Sequence, residues 1–217
     1  TGAEKIPYGV PKHRIQDGRT SLLDDGSVLA ELSVFGDHNL MNLNGARIIC
    51  NQIGVSDAEF YKAIGSFSGA SKRMEKIGES EQTVIYKDFA HSPSKVKATV
   101  DAFKKQFKER ELIACLELHT FSSLNETFLK EYKGSLDSAD IPMVYYSPVT
   151  IAHKKLAPIS PDQVGSAFTN ANVQVFTNSS DLFSSIPVPD NKKRVVLLMS
   201  SGNFDGMDLS VVVSSLL

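Results

Sequence analysis

Three short runs of this chain combine residue types suited to a phosphorylated ligand. The first is Phe35-Gly36-Asp37-His38-Asn39-Leu40-Met41-Asn42, where an apolar stretch gives way to helical spacing. Asn39 and Asn42 share one face of a first helical turn. Their carboxamides offer donors and acceptors that suit the edge of an adenine ring. Helix capping by Asp37 or Asn39 explains the same residues without a ligand. A metal is not expected, because Asn is a poor ligand for transition metals. The second run, Lys72-Arg73 with Glu75, offers a planar fork of donors to phosphate, or an ordinary solvated Arg. In the third, Asp88-Phe89-Ala90-His91-Ser92-Pro93, a strand ends before a helix. An Asp there accepts from ribose hydroxyls, and His91 and Ser92 stand where an anion is welcome. An N-cap by Ser92 or Ser94 is the alternative.

Two further strand ends carry polar loops. Glu117-Leu118-His119-Thr120-Phe121-Ser122-Ser123 follows one apolar run, and Ser200-Ser201-Gly202-Asn203-Phe204-Asp205-Gly206 follows the last. Polar βα loops are ordinary one at a time; several on one sheet edge describe a ligand crevice. A Ser92–His119–Asp88 triad lacks the GxSxG elbow and is set aside.

The elements that must position these residues are legible from pattern. Residues 1–27 read as short strands between turns, and 28–35 as a strand. Leu40, Leu43, Ala46, Cys50 and Ile53 mark a helix ended by Gly54, and Ser56 with Glu59 caps the next. The small, polar stretch 68–81 is the expected domain boundary. Beyond it, strands at 83–86, 112–118, 143–146, 173–177 and 195–199 alternate with helices, the last over 209–217. Such alternation implies a mostly parallel sheet covered on both faces. The expected class is α/β: a C-terminal Rossmann-like domain with a mostly parallel sheet, preceded by a smaller α/β portion of the chain.

Composition narrows the function. The 217 residues carry a net charge of −2, with no basic surplus for nucleic acid. No apolar run approaches the roughly 20 residues of a membrane helix. Cys50 and Cys115 sit in apolar runs without CxxC spacing, so both read as buried thiols in a reducing cytoplasm. The start, Thr1-Gly2-Ala3-Glu4-Lys5, has no apolar signal core and no initiator Met, and is expected to belong to a fragment.

The runs Phe35-Gly36-Asp37-His38-Asn39-x-x-Asn42, Gly69-x-x-Lys72-Arg73-x-Glu75 and Asp88-Phe89-Ala90-His91-Ser92-Pro93 together resemble the Mur ligases of bacterial cell-wall synthesis. The resemblance extends over essentially the whole chain. Within the family, the third run is similar to the branch acting on UDP-N-acetylmuramate. Members of that branch that add L-alanine carry arginines in the loop that here reads His119-Thr120-Phe121-Ser122-Ser123. The loop 200–206 is more similar to members that reattach a recycled tripeptide.

The resemblance implies ATP-dependent amide formation through an acyl phosphate. It implies residues 1–70 as the end of the central ATP-binding domain and 71–217 as the C-terminal domain. His38, Asn39 and Asn42 would hold adenine and Asp88 the ribose. Arg73 would approach the γ-phosphate, and His91 joins it as a catalytic residue. Phe89, His91, Ser92, His119, Thr120, Ser123, Ser200, Ser201 and Asn203 would line the pocket for the incoming peptide, expected to be L-alanyl-γ-D-glutamyl-meso-diaminopimelate. ATP and Mg2+ would be required. No GxxxxGK[ST] loop occurs in these residues, so the phosphate cradle, the magnesium ligands and the UDP-sugar domain are expected upstream, and the fragment is expected to be inactive alone. A non-catalytic nucleotide-binding module and a folate-polyglutamate ligase are the competing readings; the Asp-x-Ala-His-x-Pro run speaks against the second.

Overall fold

The computed structural model describes residues 5–70, 73–188 and 191–217. The chain divides into two compact units, Thr1–Gly69 and Ala70–Leu217.

In the first unit, β1 (His13–Gln16), β2 (Arg19–Asp24) and β3 (Ser27–Leu32) form an antiparallel sheet in that order. Asp17-Gly18 and Asp25-Gly26 join them, with φ of 51°, 72°, 43° and 86°. Left-handed backbone at both central residues matches the strand twist and selects Asp-Gly. β3 ends at Leu32 rather than continuing to Phe35. The chain then turns at Gly36 (φ 86°) into α1 (Asp37–Gln52). α2 (Asp57–Ile64) begins at the expected capping box of Ser56 and Glu59. Leu22, Ala30, Leu32, Leu40, Leu43 and Phe60 form the core. Arg47 Nη1 bonds both Asp57 oxygens at 2.9 Å, and Asn51 Nδ2 adds a bond of 2.8 Å. Asn51 first, then Arg47, hold the Asp57 carboxyl below its ordinary range.

The second unit holds β4 (Glu75–Glu79), β5 (Thr83–Asp88), β6 (Glu111–Leu118), β7 (Ile141–Tyr146), β8 (Gln174–Phe176) and β9 (Arg194–Met199). Their order is β4-β5-β9-β6-β7-β8. Only β4 runs antiparallel to its neighbour; the other pairs are parallel. β6 and β9 are apolar almost throughout, as strands covered on both faces must be. Ile113, Cys115, Val196 and Leu198 point to one face, against Leu182 and Phe183 of α7 (Ser179–Ser184) and Val212 and Leu216 of α8 (Leu209–Leu216). Tyr86 points to the other, 4.9 Å from the Phe103 ring of α3 (Pro93–Gln106). Three short helices complete the unit: α4 (Glu126–Leu129), α5 (Pro148–His153) and α6 (Pro161–Ser166). This is the expected α/β class with a mostly parallel, Rossmann-like sheet.

Two differences from the pattern reading have physical causes. The boundary stretch contains β4, because an edge strand pairs through its backbone and tolerates the charged run Glu75-Lys76. α5 was not expected; its signal is only a Ser147 cap followed by Pro148. Among the described residues, no helix is long and apolar enough to cross a membrane.

Candidate active site

The parallel strands β5, β9, β6 and β7 end side by side, so their C-terminal loops share one rim. Register places Asp88 and Leu116 level with Met199, and just beyond it the Ser200 hydroxyl bonds the Glu117 carboxylate. Rim loops of parallel sheets are where ligands bind.

Asp88 organises the first loop. It is buried, and its Oδ1 accepts from Ala90 N at 2.7 Å and Thr99 Oγ1 at 3.5 Å. Its Oδ2 accepts from Met74 N at 2.8 Å. His91 Nδ1 lies 2.9 Å from the Phe89 carbonyl, which can accept its hydrogen. The exposed Phe89 ring meets His91 edge to face at 5.2 Å. Tyr132 donates to the His91 carbonyl, and burial pushes that phenol up to about 12. Ser92 is the α3 N-cap residue, but its hydroxyl makes no capping bond; Pro93 occupies the first turn. Arg73 is exposed, and Lys72 lies outside the described residues.

Glu117, the first residue of the polar run 117–123, is the centre of the second cluster. Its side chain is 3% exposed. Oε2 accepts from Phe204 N at 2.9 Å and from Ser200 Oγ; Oε1 lies 3.4 Å from His119 Nδ1. Ser200 Oγ also accepts from Gly202 N at 2.7 Å, and Ser200 N donates to the Asp88 carbonyl at 3.0 Å. The loops after β5, β6 and β9 are thus joined through hydrogen bonds. A charged residue inside a strand that ends at a polar loop was the available signal, since buried carboxylates are rare unless partnered.

The remaining rim groups differ in exposure. Ser123 is buried: its Oγ donates to the Thr120 carbonyl at 3.1 Å, its N–H donates to Thr120 Oγ1 at 3.1 Å, and its side chain also bonds the Tyr132 phenol. Ser201 Oγ is buried without a hydrogen-bond partner among the described residues. Asn203 is exposed and accepts from Gly206 N at 3.1 Å. Phe204 and Asp205 both adopt left-handed backbone, φ 51° and 61°. Asp205 Oδ2 accepts from the Ser147 hydroxyl at 3.3 Å, beside the Tyr145 phenol, which burial pushes up to about 12. Lys154 Nζ stands 4.3 Å above the exposed Phe121 ring, bringing a cation to the His119 loop.

In the first unit, Asn39 sits at the first turn of α1, and its Nδ2 donates to the Phe35 carbonyl at 2.9 Å. His38 and Asn42 are exposed on the same turn region. Neither Asp37 nor Asn39 caps the helix with a side-chain bond; Gly36 holds the cap position. Among the described residues, no group of three or more His, Cys, Asp or Glu side chains is placed to hold a metal ion. The donor set of the described residues does not fit magnesium.

The family model for the Mur ligase glutamate ligase domain matches residues 72–202. The chain belongs to the Mur ligase family. A UDP-N-acetylmuramate–L-alanine ligase of Caldicellulosiruptor bescii is 38% identical over 110 residues, 51% of this chain and 24% of the relative. Another, from Lactococcus lactis subsp. lactis, is 29% identical over 181 residues, 81% of this chain and 38% of the relative. The chain therefore spans between 24% and 38% of the length of these curated relatives. Among solved structures, a UDP-N-acetylmuramate–alanine ligase from Thermotoga maritima superposes with a TM-score of 0.66 at 16% identity, over 94% of this chain and 43% of that one. That likeness shows the fold. A murein peptide ligase from Psychrobacter arcticus gives 0.57 at 25% identity, over 91% of this chain and 41% of that one.

Proposed function

We propose that this Mur ligase chain is part of a cytoplasmic, ATP-dependent ligase that joins a short peptide to UDP-N-acetylmuramate through an acyl phosphate. The observation that carries this reading is the polar rim, where Asp88, His91, His119, Ser200 and Ser201 occupy adjacent loops. An unpartnered buried hydroxyl such as Ser201 Oγ is costly, and a bound substrate would satisfy it. Phe89, His91, Ser92, His119, Thr120, Ser200, Ser201 and Asn203 are assigned to the amine-bearing substrate, with Ser123 holding their loop. His91 and Arg73 are assigned to charge on the phosphoryl oxygens. His38, Asn39 and Asn42 are assigned to adenine, and Asp88 to ribose through the acceptor capacity its three present donors leave. Residues 1–70 are read as the end of an ATP-binding domain and 71–217 as the family's C-terminal domain. Magnesium ligands and the phosphate cradle are assigned to the rest of the longer protein, without which this chain is inactive.

The peptide L-alanyl-γ-D-glutamyl-meso-diaminopimelate is the proposed amine. The His119 loop holds no arginine of its own to grip a lone amino acid, and its nearby cation, Lys154, comes from α5. The names of the curated relatives favour L-alanine as the second reading. Full-length protein supplied with ATP, magnesium and UDP-N-acetylmuramate should release phosphate rapidly with the tripeptide and slowly with L-alanine. The reverse preference would replace the first reading by the second. Phosphate release with neither amine would sink both.

A further inference from the structure

Resting on the ligase reading, we propose that His119 is the base that takes the proton from the incoming amine and that Glu117 is its positioning residue. An amine that attacks an acyl carbon becomes positively charged and must lose a proton before the amide is formed. A neutral imidazole beside the amine is suited to receive it at working pH.

The geometry points to His119 because of how Glu117 is held. One carboxylate oxygen is fixed by two donors from the β9 loop, the Phe204 N–H at 2.9 Å and the Ser200 hydroxyl. The carboxylate cannot rotate freely, and its other oxygen meets His119 Nδ1 at 3.4 Å. A fixed carboxylate at Nδ1 keeps the proton there and leaves Nε2 with a lone pair. The imidazole is 34% exposed while its carboxylate is 3% exposed, so the pair joins a buried anchor to a reachable ring. Gly202 backs that ring. In the step itself, the amine nitrogen attacks the acyl carbon and the C–N bond forms. The acyl C–O bond breaks, inorganic phosphate leaves with its electron pair, and the proton passes from nitrogen to His119 Nε2.

Hydroxylamine separates this role from the rest of the reaction, because it traps an acyl phosphate as a hydroxamate without a base. Full-length wild-type protein, His119→Ala, His119→Gln and Glu117→Gln would be assayed with the peptide amine and, separately, with hydroxylamine. Glu117→Gln keeps an oxygen for Phe204 N and Ser200 while removing the charge. The expected result is amide formation slowed about 10²–10⁴-fold in the His119 variants with KM little changed. Glu117→Gln should show a smaller loss of kcat. Hydroxamate formation should continue in all three, and added imidazole should restore part of the amide rate of His119→Ala. Amide formation within threefold of wild type, or joint loss of both products without imidazole rescue, would overturn the base assignment and leave the ligase reading standing. A wild-type protein that forms neither product would remove the ligase reading and this assignment with it.

Discussion

Gly202 lies against the imidazole of His119, where a β-carbon on the glycine would stand 2.8 Å from ring atoms Cγ and Nδ1 and 3.0 Å from Glu117 Oε2. Its backbone is not left-handed. The glycine is required by this contact and not by conformation. Gly202→Ala should therefore displace the ring at a cost of about 1–3 kcal/mol. Thermal unfolding should show a drop of a few degrees, and ligation by the full-length protein should fall with it. Gly9→Ala, with no atom within 4 Å, is the control and should change neither. Equal behaviour of the two variants would remove the contact as the cause.

Phe204 carries the opposite tension. Its backbone is left-handed at φ 51°, yet its ring is buried 5.3 Å from Phe183 and stacked 6.3 Å from Tyr145. Burial of the ring holds a conformation that costs on the order of 1 kcal/mol. Phe204→Ala should lower unfolding stability by about 3–5 kcal/mol in denaturant titration. A loss under 1 kcal/mol would mean that the loop keeps its shape without the anchor.

The clasp between α1 and α2 should fail in acid. Hydrogen bonds from Asn51 and Arg47 hold the Asp57 carboxyl below its ordinary range. A depressed carboxyl adds stability that is present above its unfolded pKa and is lost as pH falls through the folded one. The first unit should thus weaken below about pH 4. The effect is small, because Asp57 is 47% exposed and screened by water. Asp57→Asn should flatten that acid limb, as read by circular dichroism against pH. An unchanged limb would show that the clasp contributes nothing.

The two thiols should react differently. Cys115 is fully buried, and burial pushes its thiol up to about 12. Cys50 is partly exposed. Iodoacetamide at neutral pH should alkylate Cys50 alone in the native protein and both thiols after denaturation, as counted by mass spectrometry. Rapid native labelling of Cys115 would contradict the burial of β6.

Most of the second unit was legible because strand and helix signals there agree. Val195–Met199 is an uninterrupted apolar run, Leu112–Leu118 is broken by Glu117 alone, and Val96, Val100 and Phe103 recur on one helical face. What escaped was whatever depends on contacts distant in sequence. Glu117 was placed in a polar run but given no role, because its partners Ser200 and Phe204 lie 83 and 87 residues away. β4 was hidden because pairing at an edge uses backbone groups, which composition does not report. Asp88 and Ser123 were recognised by type, but only coordinates reveal how thoroughly their neighbours occupy them.

The strand order has a consequence for biosynthesis. β9 is wedged between β5 and β6, although it is made after both. Until Arg194–Met199 has left the ribosome, β5 and β6 face each other across a missing partner, each with an open row of amides and carbonyls. Such exposed strands invite aggregation, and non-local pairing is slow. A nascent chain halted before Arg194 should accordingly be a substrate for chaperones and proteases, however well formed its earlier helices are.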